Sequence, residues 1–275
     1  MASMFSVLMS VHGGERACFL REALESLRVQ SLPASHIVLV QDGPISDDAS
    51  GVISEYQHRL PIQLIRLPEN VGLARALNAG LAHIDRPWVV RFDTDDVCMP
   101  DRLALQMEVA CSGVYDIFGG QIEEFDCVPG DLGIVRKVPV DLDSVRLFAR
   151  RRNPLNHMTV CFRTVLVKEL GGYPTDIPLM EDYALWLRAL AAGAAIGNCT
   201  DTLVAARVGA GMYARRGGRR YIQSEFRLQR LCIQLGLKSR GSALVDGSIR
   251  AAGFVLPADW RRLLYRAMLR ESSKA

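Results

Sequence analysis

Long apolar runs, paired cysteines and an excess of charge are all missing from this chain of 275 residues. No uninterrupted apolar run reaches the roughly 18 residues that a membrane-spanning helix needs. The opening "MASMFSVLMSVHGGE" has neither a charged start nor a long apolar stretch, so it does not read as a signal peptide. Seven cysteines are scattered, odd in number and without a C-x-x-C pair, which argues against a disulfide framework and for a reduced, cytoplasmic setting. The formal net charge of +3 is too small to argue for nucleic acid as a partner. No G-x-G-x-x-G follows the first apolar run, and no G-x-x-x-x-G-K-[ST] occurs anywhere; these absences argue against a dinucleotide fingerprint and a P-loop. Internal repeats and low-complexity linkers are absent as well.

What is present is a core. Apolar residues make up 49% of the chain, enough to fill one large domain. The first half alternates two periods. "FSVLMSV", "HIVLV", "IQLIRL" and "WVVRF" are short continuous apolar runs that read as strands. "ERACFLREALESLRVQ", "DDASGVISEYQHRL", "GLARALNAGLAHI" and "PDRLALQMEVA" read as helices, the second capped by its aspartates and the last opened by Pro100. Strands alternating with helices predict an α/β fold with a mostly parallel central sheet covered on both faces. Further on, "GGQIEEFD" and "GIVRKVPV" suggest strands, "NPLNHMTVCFR" a turn entering a strand, and "EDYALWLRALAAG" a helix; from about Arg219 the chain reads as helical and basic.

In open α/β sheets ligands bind beyond the carboxyl ends of the strands. That places "SVHGGE", "QDG" and "DTDD" at one crevice. The last is unusual: three aspartates in four positions directly after "WVVRF", groups that repel one another and resist unpaired burial. Two readings stand. Asp93 and Asp95 suit a hard divalent ion, Mg²⁺ or Mn²⁺, that shares substrate phosphates; or the acids form a solvated loop and a helix cap before Pro100.

Together "SVLMSVHGGERACFLREALESLRVQSL…IVLVQDGP", "ENVGLARALNAGL", "RFDTDDVCMPDR", "NPLNHMTVCFR" and "MEDYALWLRAL" resemble the family 2 inverting glycosyltransferases, in the family's order over residues 4 to 193. "MYARRGGRRYIQSE" is similar to a segment of members that build bacterial surface polysaccharides. The resemblance implies an A-type, Rossmann-like glycosyltransferase fold. It also implies transfer of a sugar from a nucleotide-diphosphate donor, UDP favoured, to a hydroxyl of a glycan or lipid-linked acceptor. Residues 1–210 would form the catalytic domain and 211–275 a basic helical extension packed on it.

The resemblance assigns roles. Asp42 would contact the nucleotide base, although Gln41 replaces the acid often found before it. Arg75 would face the diphosphate or stack on the base. Asp93 would lie near ribose and metal, and Asp95 would be the principal metal ligand, with Asp96 supporting the loop. His12 stands where relatives carry an aromatic residue, and Glu15 would either touch the donor or cap the following helix. Asp182 would be the catalytic base, ionised by its helix start and opposed by Glu181 beside it. Glu181, Asn156 and His157 would contact donor or acceptor. Arg215 and Arg216, with Arg219, flank Gly217 and Gly218 in a basic loop that would close over the diphosphate. Trp260, Leu263, Leu264, Met268 and Leu269 among arginines make the tail an amphipathic helix. It would either lie on the inner membrane face or pack on the domain. Two rival functions remain at this stage: a sugar nucleotidyltransferase and a noncatalytic nucleotide-sugar binding protein.

Overall fold

The computed structural model describes residues 4–209, 217–255 and 270–272. The first half runs β1 (Phe5–His12), α1 (Ala17–Arg28), β2 (Ile37–Asp42), α2 (Asp47–Gln57), β3 (Ile62–Leu67), α3 (Leu73–Leu81) and β4 (Trp88–Arg91). These four strands are parallel, in the order β3-β2-β1-β4. The chain grows outward from β1 to β3, then returns to the other side of β1. The switch point therefore lies between β1 and β4, and the crevice opens at their carboxyl ends.

The strands are apolar throughout because both faces are covered. Phe5, Val7, Met9 and Val11 of β1 enter one core with Leu20 and Leu24 of α1 and Ile53 and Tyr56 of α2. Leu8 points the other way, into a second core with Val38, Val40, Leu77 and Trp186. This is the period of two expected of a strand. Each such side chain, fully buried, contributes about 1.5–3 kcal/mol.

The second half runs β5 (Val97–Cys98), α4 (Arg102–Ser112), β6 (Ile117–Phe125), β7 (Ile134–Arg136), α5 (Leu142–Ala149), a 3-10 turn at His157–Thr159, β8 (Cys161–Arg163), α6 (Thr164–Glu169), α7 (Glu181–Ala191) and β9 (Ile196–Arg207). Here the expected parallel pattern fails. β8 inserts antiparallel between β4 and β6, and β7 runs antiparallel to β6. β5 is antiparallel to β9, and only β9 with β6 is parallel. The sheet is mixed: strands joined without a crossover helix, as β6 and β7 are, return antiparallel.

Two helix starts also differ from expectation. Ser46, not an aspartate, caps α2 by accepting the Ala49 N–H at 3.2 Å, while Asp47 and Asp48 occupy the first turn. Pro100 precedes α4 and its N-cap residue Asp101 and lies outside the first turn.

Helices α8 (Arg219–Gln234) and α9 (Arg240–Val255) rest on the body, with Leu228, Leu231, Cys232 and Phe254 in the core that holds Trp186. Fully buried Glu225 accepts from Gln229 Nε2 and from Arg250 Nε, each at 2.7 Å. Backbone pairing adds β10 (Arg270–Ser272) antiparallel to β7. Arg215, Arg216, Trp260, Leu263, Leu264, Met268 and Leu269 lie outside the described residues. Among the described residues no helix is long and apolar enough to cross a membrane.

Candidate active site

The crevice begins where β1 and β2 end side by side, His12 opposite Asp42. Asp42 is buried, and its carboxylate accepts the Val71 N–H at 2.7 Å and the Gly72 N–H at 3.1 Å. These charge-assisted bonds clamp the loop that starts α3 to the tip of β2. The turn after β2 needs glycine: Gly43 has φ +80, and a Cβ there would stand 2.5 Å from the Asn70 nitrogen. Asp42 is therefore more than a turn residue, since it fixes the loop leading into α3, the helix that carries Arg75. Arg75 itself is exposed and has no ion-pair partner among the described residues. His12 is exposed, with Nδ1 accepting the Gly14 N–H at 2.9 Å. Glu15 does not cap α1, whose N-cap is Arg16. Its Oε2 instead accepts Thr94 Oγ1 at 2.9 Å, which sets it beside the aspartates.

Asp93, Asp95 and Asp96 each offer a carboxylate oxygen, and these atoms lie within 4.8 Å of one another. Burial, then Asp93 and Glu15, push Asp95 up to about 7. Burial, Asp95 and Asp93 hold Asp96 well above the usual carboxylate range. Asp96 Oδ1 accepts the Arg207 N–H at 2.8 Å, which supports the loop as expected, yet its Oδ2 is buried without a partner. Three crowded carboxylates with an orphaned oxygen are an oxygen-only donor set that fits a hard divalent ion.

Across the crevice, α7 opens on Glu181 and Asp182. Neither caps it: the N-cap is Met180, which makes no side-chain cap bond. Leu179, just before, is held at φ 69, an uncommon conformation for a residue with a Cβ. Asp182 Oδ2 accepts Asn153 Nδ2 at 2.6 Å, and Oδ1 accepts the Tyr183 N–H at 2.7 Å. Burial nevertheless raises the Asp182 carboxyl, so the helix start does not dominate its protonation. Burial, then Asp182, pushes Glu181 up to about 7, and Glu181 Oε2 is buried and unpartnered.

Asn156 is buried, giving its amide to the Gly120 carbonyl at 2.9 Å. It holds the turn through this bond, and its Oδ1 is buried without a partner. His157 is half-buried; its Nε2 lies 3.1 Å from the Tyr173 hydroxyl, its ring meets Tyr173 and Trp186 edge-on, and burial holds it well below its usual range.

Several residues escaped the motif reading. Arg91 is buried and pairs with Asp93, and its charge also lowers the Glu181 and Asp182 carboxyls, so one guanidinium acts on both acid groups. Its one signal was a charge interrupting "WVV…F". Arg102, fully buried, donates to the carbonyls of Arg91 at 2.6 Å and Met158 at 2.8 Å, tying β4 to the 3-10 turn. Arg207 donates to the Asp95 carbonyl at 3.1 Å and packs over Phe19 and Phe125. Asn153, the partner of Asp182, sits in the same "NPLNH" turn as Asn156 and His157.

A profile of glycosyl transferase family 2 matches residues 6–168. An uncharacterized glycosyltransferase of Haemophilus influenzae is 42% identical over 97% of this chain and 99% of its own length. A UDP-Gal:α-D-GlcNAc-diphosphoundecaprenol β-1,3-galactosyltransferase of Escherichia coli is 32% identical over 97% of this chain and 96% of its own. Among solved structures, S. aureus TarS 1-349 in complex with UDP-GlcNAc superposes with a TM-score of 0.67 at 19% identity, covering 86% of this chain and 69% of that one. Profile, relatives and fold agree with a crevice that sets one group of acids at a strand end and another at a helix start: the chain belongs to glycosyltransferase family 2 and is a glycosyltransferase.

Proposed function

We propose that this enzyme moves a sugar, with inversion, from a UDP-sugar to a hydroxyl of a phosphate-linked glycan in surface-polysaccharide synthesis. The observation that carries it is the pair of acid groups sharing Arg91: a crowded aspartate cluster on one wall and a singly held Asp182 on the other. The acceptor class follows the Escherichia coli relative, whose name gives UDP-Gal as donor and a diphospho-lipid glycan as acceptor.

Asp93, Asp95 and Asp96 would hold Mn²⁺ or Mg²⁺, which when bound supplies positive charge beside the donor diphosphate. The chain's own residues do the rest. Asp42 receives the base edge and keeps the α3 loop in place, and Arg75 meets the diphosphate. His12 and Glu15 border the nucleotide. Asp182 takes the proton from the acceptor hydroxyl. Asn153 Nδ2 and the Tyr183 N–H engage one oxygen each, fixing the carboxylate's orientation while lone pairs remain to accept the proton. Burial makes Asp182 a stronger base than a solvated aspartate, and the Tyr183 N–H, Asn153 and Arg91 oppose that rise. Glu181 and His157 sit close enough to shape the acceptor side.

The test is product analysis with a panel of nucleotide sugars, Mn²⁺ and phosphate-linked acceptors. UDP release coupled to a β-linked product is expected. Consumption of added inorganic diphosphate with formation of UTP and a sugar 1-phosphate would point to a nucleotidyltransferase, and tight donor binding with no turnover to a binding protein.

A further inference from the structure

A second charged feature lies outside the crevice. Between α7, α8 and the segment before α7 is a groove of about 420 Å³, ringed by Arg188, Arg227 and Arg230. Its floor is apolar: Ile177 is 2% exposed and Leu231 8%. One carboxylate faces the three guanidiniums, that of Asp176, whose side chain is 74% exposed and 3.7 Å from Arg188 Nη2. Arg227 donates to the Asp176 carbonyl at 2.9 Å, and Arg230 has no partner among the described residues. The groove therefore carries an excess of two positive charges over apolar walls. Guanidiniums offer forked N–H pairs that match phosphate oxygens, and the single Asp176 carboxylate leaves most of these donors unused.

Position gives this chemistry a use. Arg188 lies six residues along α7 from Asp182, about 9 Å of helix rise. The Asp176 loop leads straight into Glu181 and Asp182. Six residues also turn the helix through about 240°, so Arg188 lies on the flank of α7 that carries Glu181, and an acceptor held in the groove would reach round that flank to bring its sugar to Asp182. The donor diphosphate has its own place at the aspartate cluster, on the other side of the crevice.

We propose that the Arg188–Arg227–Arg230 groove binds the phosphate groups of the phosphate-linked acceptor, holding its sugar toward Asp182. This rests on the proposed function and adds the part of the acceptor that the enzyme reads. An acceptor without phosphates loses this hold, so selectivity for phosphate-linked glycans resides in these three arginines.

Two measurements on the full chain test it. In the first, inorganic diphosphate is titrated with EDTA present, so that metal at the aspartates plays no part. The unsubstituted protein should bind it saturably, Arg230→Gln several-fold more weakly, and Arg188→Gln/Arg227→Gln/Arg230→Gln at least tenfold more weakly. Arg230→Gln removes no internal contact and keeps the test open if the triple variant fails to fold. Equal affinity in all three proteins, or no binding by the unsubstituted one, overturns the proposal. In the second, GlcNAc α-diphosphate on a short alkyl chain is compared with the octyl α-glycoside of GlcNAc as acceptor. The triple variant should raise KM at least tenfold for the first and less than twofold for the second. An equal rise for both, or diphosphate binding with unchanged KM for the first, overturns it. If the unsubstituted protein glycosylates neither, the proposed acceptor class fails, while the diphosphate titration still decides whether the groove is an anion site.

Discussion

The two acid groups of the crevice look alike in sequence and differ in their surroundings. Asp93, Asp95 and Asp96 face one another, and their mutual repulsion, added to burial, raises Asp95 and Asp96. One buried oxygen there has no donor at all. Asp182 is held differently: Asn153 and a backbone N–H occupy its two oxygens, and burial rather than a neighbouring acid is the main cause of its raised carboxyl. A cluster short of positive charge attracts a cation, whereas a single carboxylate with fixed donors is set up to move a proton. The charge of Arg91 acts on both, so the difference lies in what each group lacks.

The largest expected effect comes from removing the base alone. Asp182→Asn keeps shape and one hydrogen bond, so donor and metal affinity should stay within a few-fold while transfer falls at least about a hundredfold. Transfer near the parent rate would make Asp182 structural and move the search to Glu181 and His157. Next is the cluster. Asp95→Ala should abolish the Mn²⁺-dependent part of donor binding. The thermal stabilisation that saturating metal gives, about 2.7 kcal/mol at a hundred times Kd, should vanish with it. Without metal the variant should be at least as stable as the parent, because a repelling charge has gone; a metal response equal to the parent's contradicts the assignment.

Third comes pH. Glu181 is raised from an unfolded value near 4.5 to about 7, so the folded chain holds its proton more tightly than the unfolded chain does. The sign follows: between about pH 4.5 and 7 the native state binds more protons, and stability falls as pH rises through that window. Glu181→Gln should flatten this fall by up to about 3 kcal/mol in denaturant titrations across the window, and an unchanged slope would show that burial does not act on Glu181 in this way.

The smallest effect tests positioning. Asn153→Ala removes a donor to Asp182 that lowers its carboxyl. It should reduce kcat by about tenfold and shift the acidic limb of the rate profile upward, with donor KM unchanged. A rise in KM with the limb unmoved would make Asn153 a packing residue.

How far the sequence foretold these contrasts depends on range. "FSVLMSV" and "HIVLV" announce their strands because every residue is apolar, and "DTDD" announces itself because nothing in a core tolerates three adjacent acids unpaired. Strand direction in the second half has no local signal: β8 is three residues long, and only its place between β4 and β6 sets its sense. Asn153 lies 29 residues from Asp182, and the contacts that bury Arg102 are made with β4 and the 3-10 turn. Long-range partners of this kind are decided by topology, which single-chain periodicity does not carry. Asn156 shows how a motif residue takes a structural task that its spacing does not announce, since its amide nitrogen is engaged by the Gly120 carbonyl while its Oδ1 is left without a partner.

The division of labour between the two acid groups is tested most directly by titrating UDP-sugar onto Asp182→Asn and Asp95→Ala, with and without Mn²⁺. The account predicts that Asp182→Asn binds donor with a metal dependence within a few-fold of the parent, and that Asp95→Ala shows none. Loss of metal-dependent donor binding in Asp182→Asn, or its survival in Asp95→Ala, would contradict it.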